Sequence, residues 1–327
     1  MRLSEYQQRA GETDQYPKDG SKSGTGYVAV KSEIIPLLGL TGEVGSLLSE
    51  YKKLLRDGPV HLRFTTQVEE ELGDLLWYIA SVATKFGLSL DSIARQNLRK
   101  VRDRWQRPIS KPQALDSDFP RSQQLPRKFR YTFSYRVVKR KKRVVLLGRN
   151  GHQVGDTLTD NAHELDGYRF HDVMHFAFAA LLGWSPVARR LLGRKRKRSA
   201  RIDEIEDGGR AAVIEEAIVA MAFDYIEGRL RDTANLRAVD TETLRSIRRL
   251  ARGFEVSART EHEWETAILS GLEVWRQVQR HNGGTIVGDF RRRQFAFVSP
   301  EQKSTGGEVA PLRGSRRRGS ASIPRAA

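Results

Sequence analysis

The stretches IIPLLGLTGEVGSLLSEYKKLL (residues 34–55) and VEEELGDLLWYIASVATKFG (residues 68–87) decide the fold of the first third of the chain. Apolar residues recur in both at three-and-four spacing, the period of a helix with one face turned inward. Pro36 suits a first helical turn, Asp57-Gly58-Pro59 ends that helix, and Gly87 closes the next. A third helix opens at Leu90-Asp91 and runs through IARQNLRKVRDRW until Pro108. Residues 1–108 therefore read as an all-α module.

Glu71 and Asp74 lie three residues apart and so share one helical face, with Leu72, Leu75, Leu76 and Ile79 on the other. The preceding helix supplies Glu43. Carboxylates converging beside a core repel one another unless a cation neutralises them. A donor set made only of oxygen suits Mg²⁺ or Mn²⁺. An isolated ExxD is common on solvated faces; the ordered set around it is the specific signal.

The string LGLTGEVGSLLSEYKK, followed by EELGDLLWYIASVATKFGLSLDSIARQNLRKVRDRW, resembles the MazG-type all-α nucleotide pyrophosphohydrolases, and LSEYQQRAGETD is similar to that family's first helix. The resemblance implies hydrolysis of nucleoside triphosphates, deoxynucleotides among them, to the monophosphate and pyrophosphate. It also implies Mg²⁺ or Mn²⁺ as cofactor, with Glu43, Glu71 and Asp74 at the metal-ligand positions. Lys53 (with Lys52 beside it), Asn97, Lys100 and Arg104 match positions that face phosphates and sugar. Assembly as a dimer or tetramer is a further implication. One departure stands out: where the family carries a second glutamate three residues after the first, this chain has Ser46. A serine supplies no charge, and Glu50, two turns beyond Glu43, is the candidate substitute.

The rest of the chain changes character. Residues 109–128, rich in Pro, Ser, Gln and Asp, read as a linker. FRYTFSYRVV and RVVLLG flank a Lys/Arg run and predict a β-ribbon connector over residues 129–160. Helical periodicity returns over residues 161–299, and residues 300–327, rich in Gly, Ser, Arg and Pro, read as a disordered basic tail. The fold class expected is mainly α: a helical module, a ribbon and a second helical domain.

In that second domain His171 and His175 sit four apart on one helical face, with Asp172 adjacent, and Glu215 and Glu216 lie in a later apolar helix. Two imidazoles and carboxylates from another helix make a workable site for a second divalent metal. A hydrogen-bonded structural network is the alternative.

With 327 residues the chain exceeds one compact domain. A net charge of +17 predicts attraction to polyanions, nucleic acid included, concentrated at residues 136–143 and 189–201 and in the tail from Pro300. The absence of cysteine excludes disulfides, thiolate nucleophiles and Cys-type zinc sites. No apolar run reaches the roughly 18–20 residues of a membrane span, and MRLSEYQQRA lacks a signal-peptide core. Both points fit a cytoplasmic protein. The rival to an enzyme is a nucleotide- or nucleic-acid-binding sensor built on the same fold, which Ser46 and the positive charge favour.

Overall fold

In the computed structural model, which describes residues 1–15, 34–105, 113–163, 166–227 and 238–299, apolar periodicity becomes helices as expected. The chain divides into two units, Met1–Arg102 and Asp103–Ala327.

The first unit consists of α1 (Leu3–Glu12), α2 (Ile34–Asp57), α3 (Phe64–Lys85) and α4 (Leu90–Trp105), whose last residues fall in the second unit. Gly39 lets α2 approach α3 closely, since a Cβ there would stand 2.1 Å from the Tyr78 ring. Gly87, at φ +63°, ends α3: its N–H bonds the Thr84 carbonyl and that of Leu88 bonds the Ala83 carbonyl, the Schellman pattern. Gln7 ties α1 to the α3–α4 corner, accepting from the Leu90 N–H (2.9 Å) and donating to the Leu88 carbonyl (2.8 Å). The buried apolar cluster among the described residues is small: Ala10, Ala80, Ala83 and Leu90, with Tyr6 and Trp77 against it. The apolar face of α3 is correspondingly open, with Leu72 51% exposed and Leu76 and Ile79 also exposed.

The second unit is built on a five-stranded antiparallel sheet, in the order β3-β2-β1-β4-β5. Its strands are β1 (Lys128–Val138), β2 (Lys141–Leu147), β3 (Gln153–Leu158), β4 (Gly284–Asp289) and β5 (Gln294–Val298). Between β3 and β4 come α5 (Asp172–Leu181), α6 (Pro186–Leu191), α7 (Ala200–Ile205), α8 (Gly209–Glu227), α9 (Thr241–Leu250) and α10 (Glu261–Arg280). Phe133, Leu146, Ile286 and Phe295 of the sheet share one core with Met174 and Phe176 of α5 and Trp264 and Leu272 of α10. Every residue of α5 is buried. Gly271 permits the close crossing of α10 over α5, because a Cβ there would meet the Met174 sulfur at 2.7 Å.

Three expectations about organisation change. The ribbon over residues 129–160 is not a connector: β1 sits at the centre of the sheet, paired with β2 on one side and β4 on the other. The domain expected to be helical over residues 161–299 therefore ends in two strands, β4 and β5. Nor are residues 109–128 a linker where they are described. Asp116 and Leu125 are buried, and Asp116 accepts from the Leu125 N–H, from Arg127 and from Arg189 (2.6 Å). The basic run 189–201 is likewise partly interior. Arg189 and Arg196 are each 1% exposed, and Arg196 is paired with Asp207 (2.7 Å) and Glu255 (2.8 Å). Burying a guanidinium is tolerable only with such partners, so these two charges belong to the fold and are closed to polyanions. The tail from Pro300 and the helix stop at Pro108 lie outside the described residues.

Candidate metal centres

In the first unit α2 presents Glu43, and α3 presents Glu71 and Asp74 one helical turn apart. The three each offer a carboxylate oxygen, and these atoms all lie within 4.8 Å of one another. Glu43 and Glu71 are half-buried and Asp74 is exposed. Partial desolvation, then the charge of Glu43 and that of Asp74, push the Glu71 carboxyl above its ordinary range. Three anionic groups so placed want a cation.

Around this cluster the expected residues separate. Ser46 follows Glu43 by one turn of α2 and is half-buried. Glu50 does not join the cluster: it is 4% exposed and is held by Lys53 and by His61, 3.0 Å away. The Lys53 bond, together with that from His61, holds the Glu50 carboxyl below its usual range despite desolvation. A buried carboxylate takes the nearest cations, here one turn along α2 and at the start of the next segment, so Lys53 is drawn to Glu50. Lys52, Asn97 and Lys100 are exposed. Arg104, which belongs to the second unit, is buried there; its guanidinium donates to Glu265 (2.8 and 3.0 Å) and to the Val239 carbonyl (3.0 Å). Two neighbours escaped the sequence reading. Tyr6 of α1 has its phenol raised by burial and by the charge of Asp74, and His61 caps Glu50. Neither carries a spacing signal, because both come from segments remote from the α3 carboxylates.

In the second unit His171, Asp172 and His175 again bring ligand atoms within 4.8 Å of one another. His171 precedes α5 and stacks on Tyr168, with ring centroids 4.4 Å apart and planes 6° from parallel. Its Nδ1 is 2.9 Å from the Tyr168 carbonyl. His175, fully buried, places Nδ1 2.9 Å from Glu215 and Nε2 3.4 Å from Glu216. Burial opposes a charge on His175, but Glu215 and Glu216 outweigh it and push the imidazole up to about 10. The two glutamates differ. Glu215 is wholly buried and accepts from the Ser185 hydroxyl (2.6 Å) and the Val187 N–H (2.8 Å) at the start of α6. The Glu216 side chain is 39% exposed.

No helix among the described residues is long and apolar enough to cross a membrane. Residues 35–107 match the family model of the MazG nucleotide pyrophosphohydrolase domain, and residues 110–301 match that of the MazG C-terminal domain. Among curated proteins, the "Gene 37 protein" of Mycobacterium phage L5 is 32% identical over 114 residues, which cover 33% of this chain and 93% of the phage protein. No solved structure matches the chain.

Proposed function

Since this chain belongs to the MazG family, we propose that its first unit hydrolyses nucleoside triphosphates to the monophosphate and pyrophosphate, with Mg²⁺ or Mn²⁺ held by Glu43, Glu71 and Asp74. The observation that carries this reading is the meeting of the three carboxylates from two helices. The donors fit a hard divalent cation: all are oxygen, and the Glu71 carboxyl is raised by partial burial and then by its acidic neighbours, both of which such an ion offsets. When bound, the ion neutralises phosphate charge and lowers the pKa of a water ligand. Glu71 and Asp74, one turn apart on α3, would hold the metal from one side. Glu43 closes the site from α2. Lys100 and Asn97, exposed on α4, are assigned to phosphate and sugar. Arg104 is left out of that set, because Glu265 already occupies its guanidinium. Lys53 would have to release Glu50 before it reached a phosphate.

A second copy of the chain belongs to the proposal. Leu38, Leu48 and Leu55 of α2 are 66%, 63% and 84% exposed, and Leu72 of α3 is exposed as well. Among the described residues this unit buries few apolar side chains, which leaves it short of core, and large exposed apolar surface marks association. The activity is placed in the cytoplasm, where its substrates are made.

The experiment is pyrophosphate release from a panel of ribo- and deoxynucleoside triphosphates by the full chain, with and without Mg²⁺. Metal-dependent release from at least one nucleotide is expected. Tight nucleotide binding with no turnover under any of these conditions would replace the enzyme by the sensor, the reading that Ser46 favours.

A further inference from the structure

We propose that His171, His175, Asp172 and Glu216 form a second metal site, inside the second unit, for a first-row transition ion such as Mn²⁺, Fe²⁺ or Zn²⁺. The case begins with the tautomers. The Nδ1 of His171 faces a backbone carbonyl, which only accepts, so the proton resides on Nδ1 and Nε2 presents a lone pair. The Nδ1 of His175 faces a carboxylate of Glu215, so Nδ1 keeps its proton there and Nε2 is the atom left to bind an ion. Both Nε2 atoms are thereby prepared as ligands. That of His171 lies 3.6 Å from Asp172 and that of His175 lies 3.4 Å from Glu216.

Next, the Nε2 of His175 is buried and makes no close hydrogen bond, with Glu216 standing 3.4 Å away. Buried polar atoms are rarely left so, because the desolvation cost goes uncompensated. An ion bound by Nε2, Asp172 and Glu216 removes that cost.

Then there is the support behind the ligands. Glu215 has its acceptors filled by Ser185, the Val187 N–H and His175, so it orients an imidazole and is not itself a ligand. A carboxylate behind one histidine and a carbonyl behind the other is the arrangement that fixes metal-binding imidazoles. Two nitrogens with two carboxylates favour a transition ion over Mg²⁺ or Ca²⁺. This separates the site from the oxygen-only cluster of the first unit. The part-exposed Glu216 gives the ion its route in.

The test uses the full chain carrying Glu71→Gln and Asp74→Asn, so that the first cluster no longer competes. After chelator treatment, Mn²⁺ is added and followed by equilibrium dialysis and by pulsed EPR, which detects ¹⁴N coupled to the metal. One ion per chain with coupling to imidazole nitrogen is expected. Adding His171→Gln, at a position that is not fully buried, should weaken binding by about a hundred-fold or more, with the circular-dichroism spectrum unchanged. Glu215→Gln should weaken it about ten- to a hundred-fold with the nitrogen coupling retained, as for the partner behind a ligand. Absence of a bound ion, binding without nitrogen coupling, or unchanged affinity in the His171→Gln chain would overturn the site and leave a structural network in its place. The outcome does not depend on whether the first unit turns over nucleotides.

Discussion

In the first unit Glu43, Glu71 and Asp74 stand on helices whose buried cluster is small and whose apolar surfaces lie open; in the second, Asp172 and His175 stand on a helix buried along its whole length. The one cluster is all carboxylate and open at Asp74, the other is mixed and backed by a filled shell of hydrogen bonds. Access follows from burial. A triphosphate, bulky and polyanionic, can approach the first cluster, whereas the second admits an ion. Stability follows too: the second unit rests on its own core and on a buried lattice of arginines and acids, while the described residues of the first leave apolar surface exposed.

The largest effect that would break this comparison is chemical. Glu71→Gln removes a ligand charge from the open cluster and should lower turnover about a thousand-fold, given the several kcal/mol that metal-centred charge stabilisation contributes. The helical circular-dichroism signal should not change, because Glu71 is only half-buried. Turnover within ten-fold of the parent chain would move the chemistry elsewhere.

Next in size is the buried lattice. Asp116→Ala takes the carboxylate from Arg127 and one of two from the buried Arg189, which keeps Asp207, and breaking a buried pair costs up to about 3–5 kcal/mol. Chemical denaturation should show that loss in the transition of the second unit. Against the cost of its burial, Arg127 and Arg189 hold Asp116 below the usual carboxylate range. Its contribution is therefore complete above the unfolded pKa of about 3.9 and lost as pH falls through the lower folded value. Acid titration of the Asp116→Ala chain should lack this part of the stability loss.

The uncovered surface gives a third test. Leu48→Glu with Leu55→Glu should convert an assembled chain to monomers in light scattering, while a parent chain that is already monomeric at working concentration would remove the second copy from the account. The smallest expected effect is at Ser46. Ser46→Glu adds a carboxylate one turn from Glu43 and should lower the Mg²⁺ concentration for half-maximal activity a few-fold, roughly the 1 kcal/mol of a further charge at a solvated site. No change would mean that the site already has its full charge.

Much of this was legible in the spacing of residues. The three-residue step from Glu71 to Asp74 and the four-residue step from His171 to His175 each put two candidate ligands on one face, and the structure brings both groups together. What spacing could not show is long-range. GTIVGD and QFAFV are short runs after a long helix, and they become strands only because β1, about 150 residues earlier, offers an edge to β4. Polar composition marked residues 109–128 as a linker, yet Asp116 is buried, with Arg127 from the same stretch and Arg189, distant in sequence, closing on it. Charge alone marked Arg189 and Arg196 as surface. Nor can a pair such as Glu215-Glu216 reveal which carboxylate supports an imidazole and which stands free, since that depends on Ser185 and the start of α6.

The central claim is that pyrophosphate is released at the carboxylates of the first unit. The most direct measurement is ³¹P NMR of a nucleoside triphosphate incubated with Mg²⁺ and the full chain, in parallel with its Asp74→Asn variant. The account expects pyrophosphate and monophosphate resonances to grow with the parent chain and the triphosphate to persist with the variant. Equal turnover by both chains, or a diphosphate with orthophosphate as products, would contradict it.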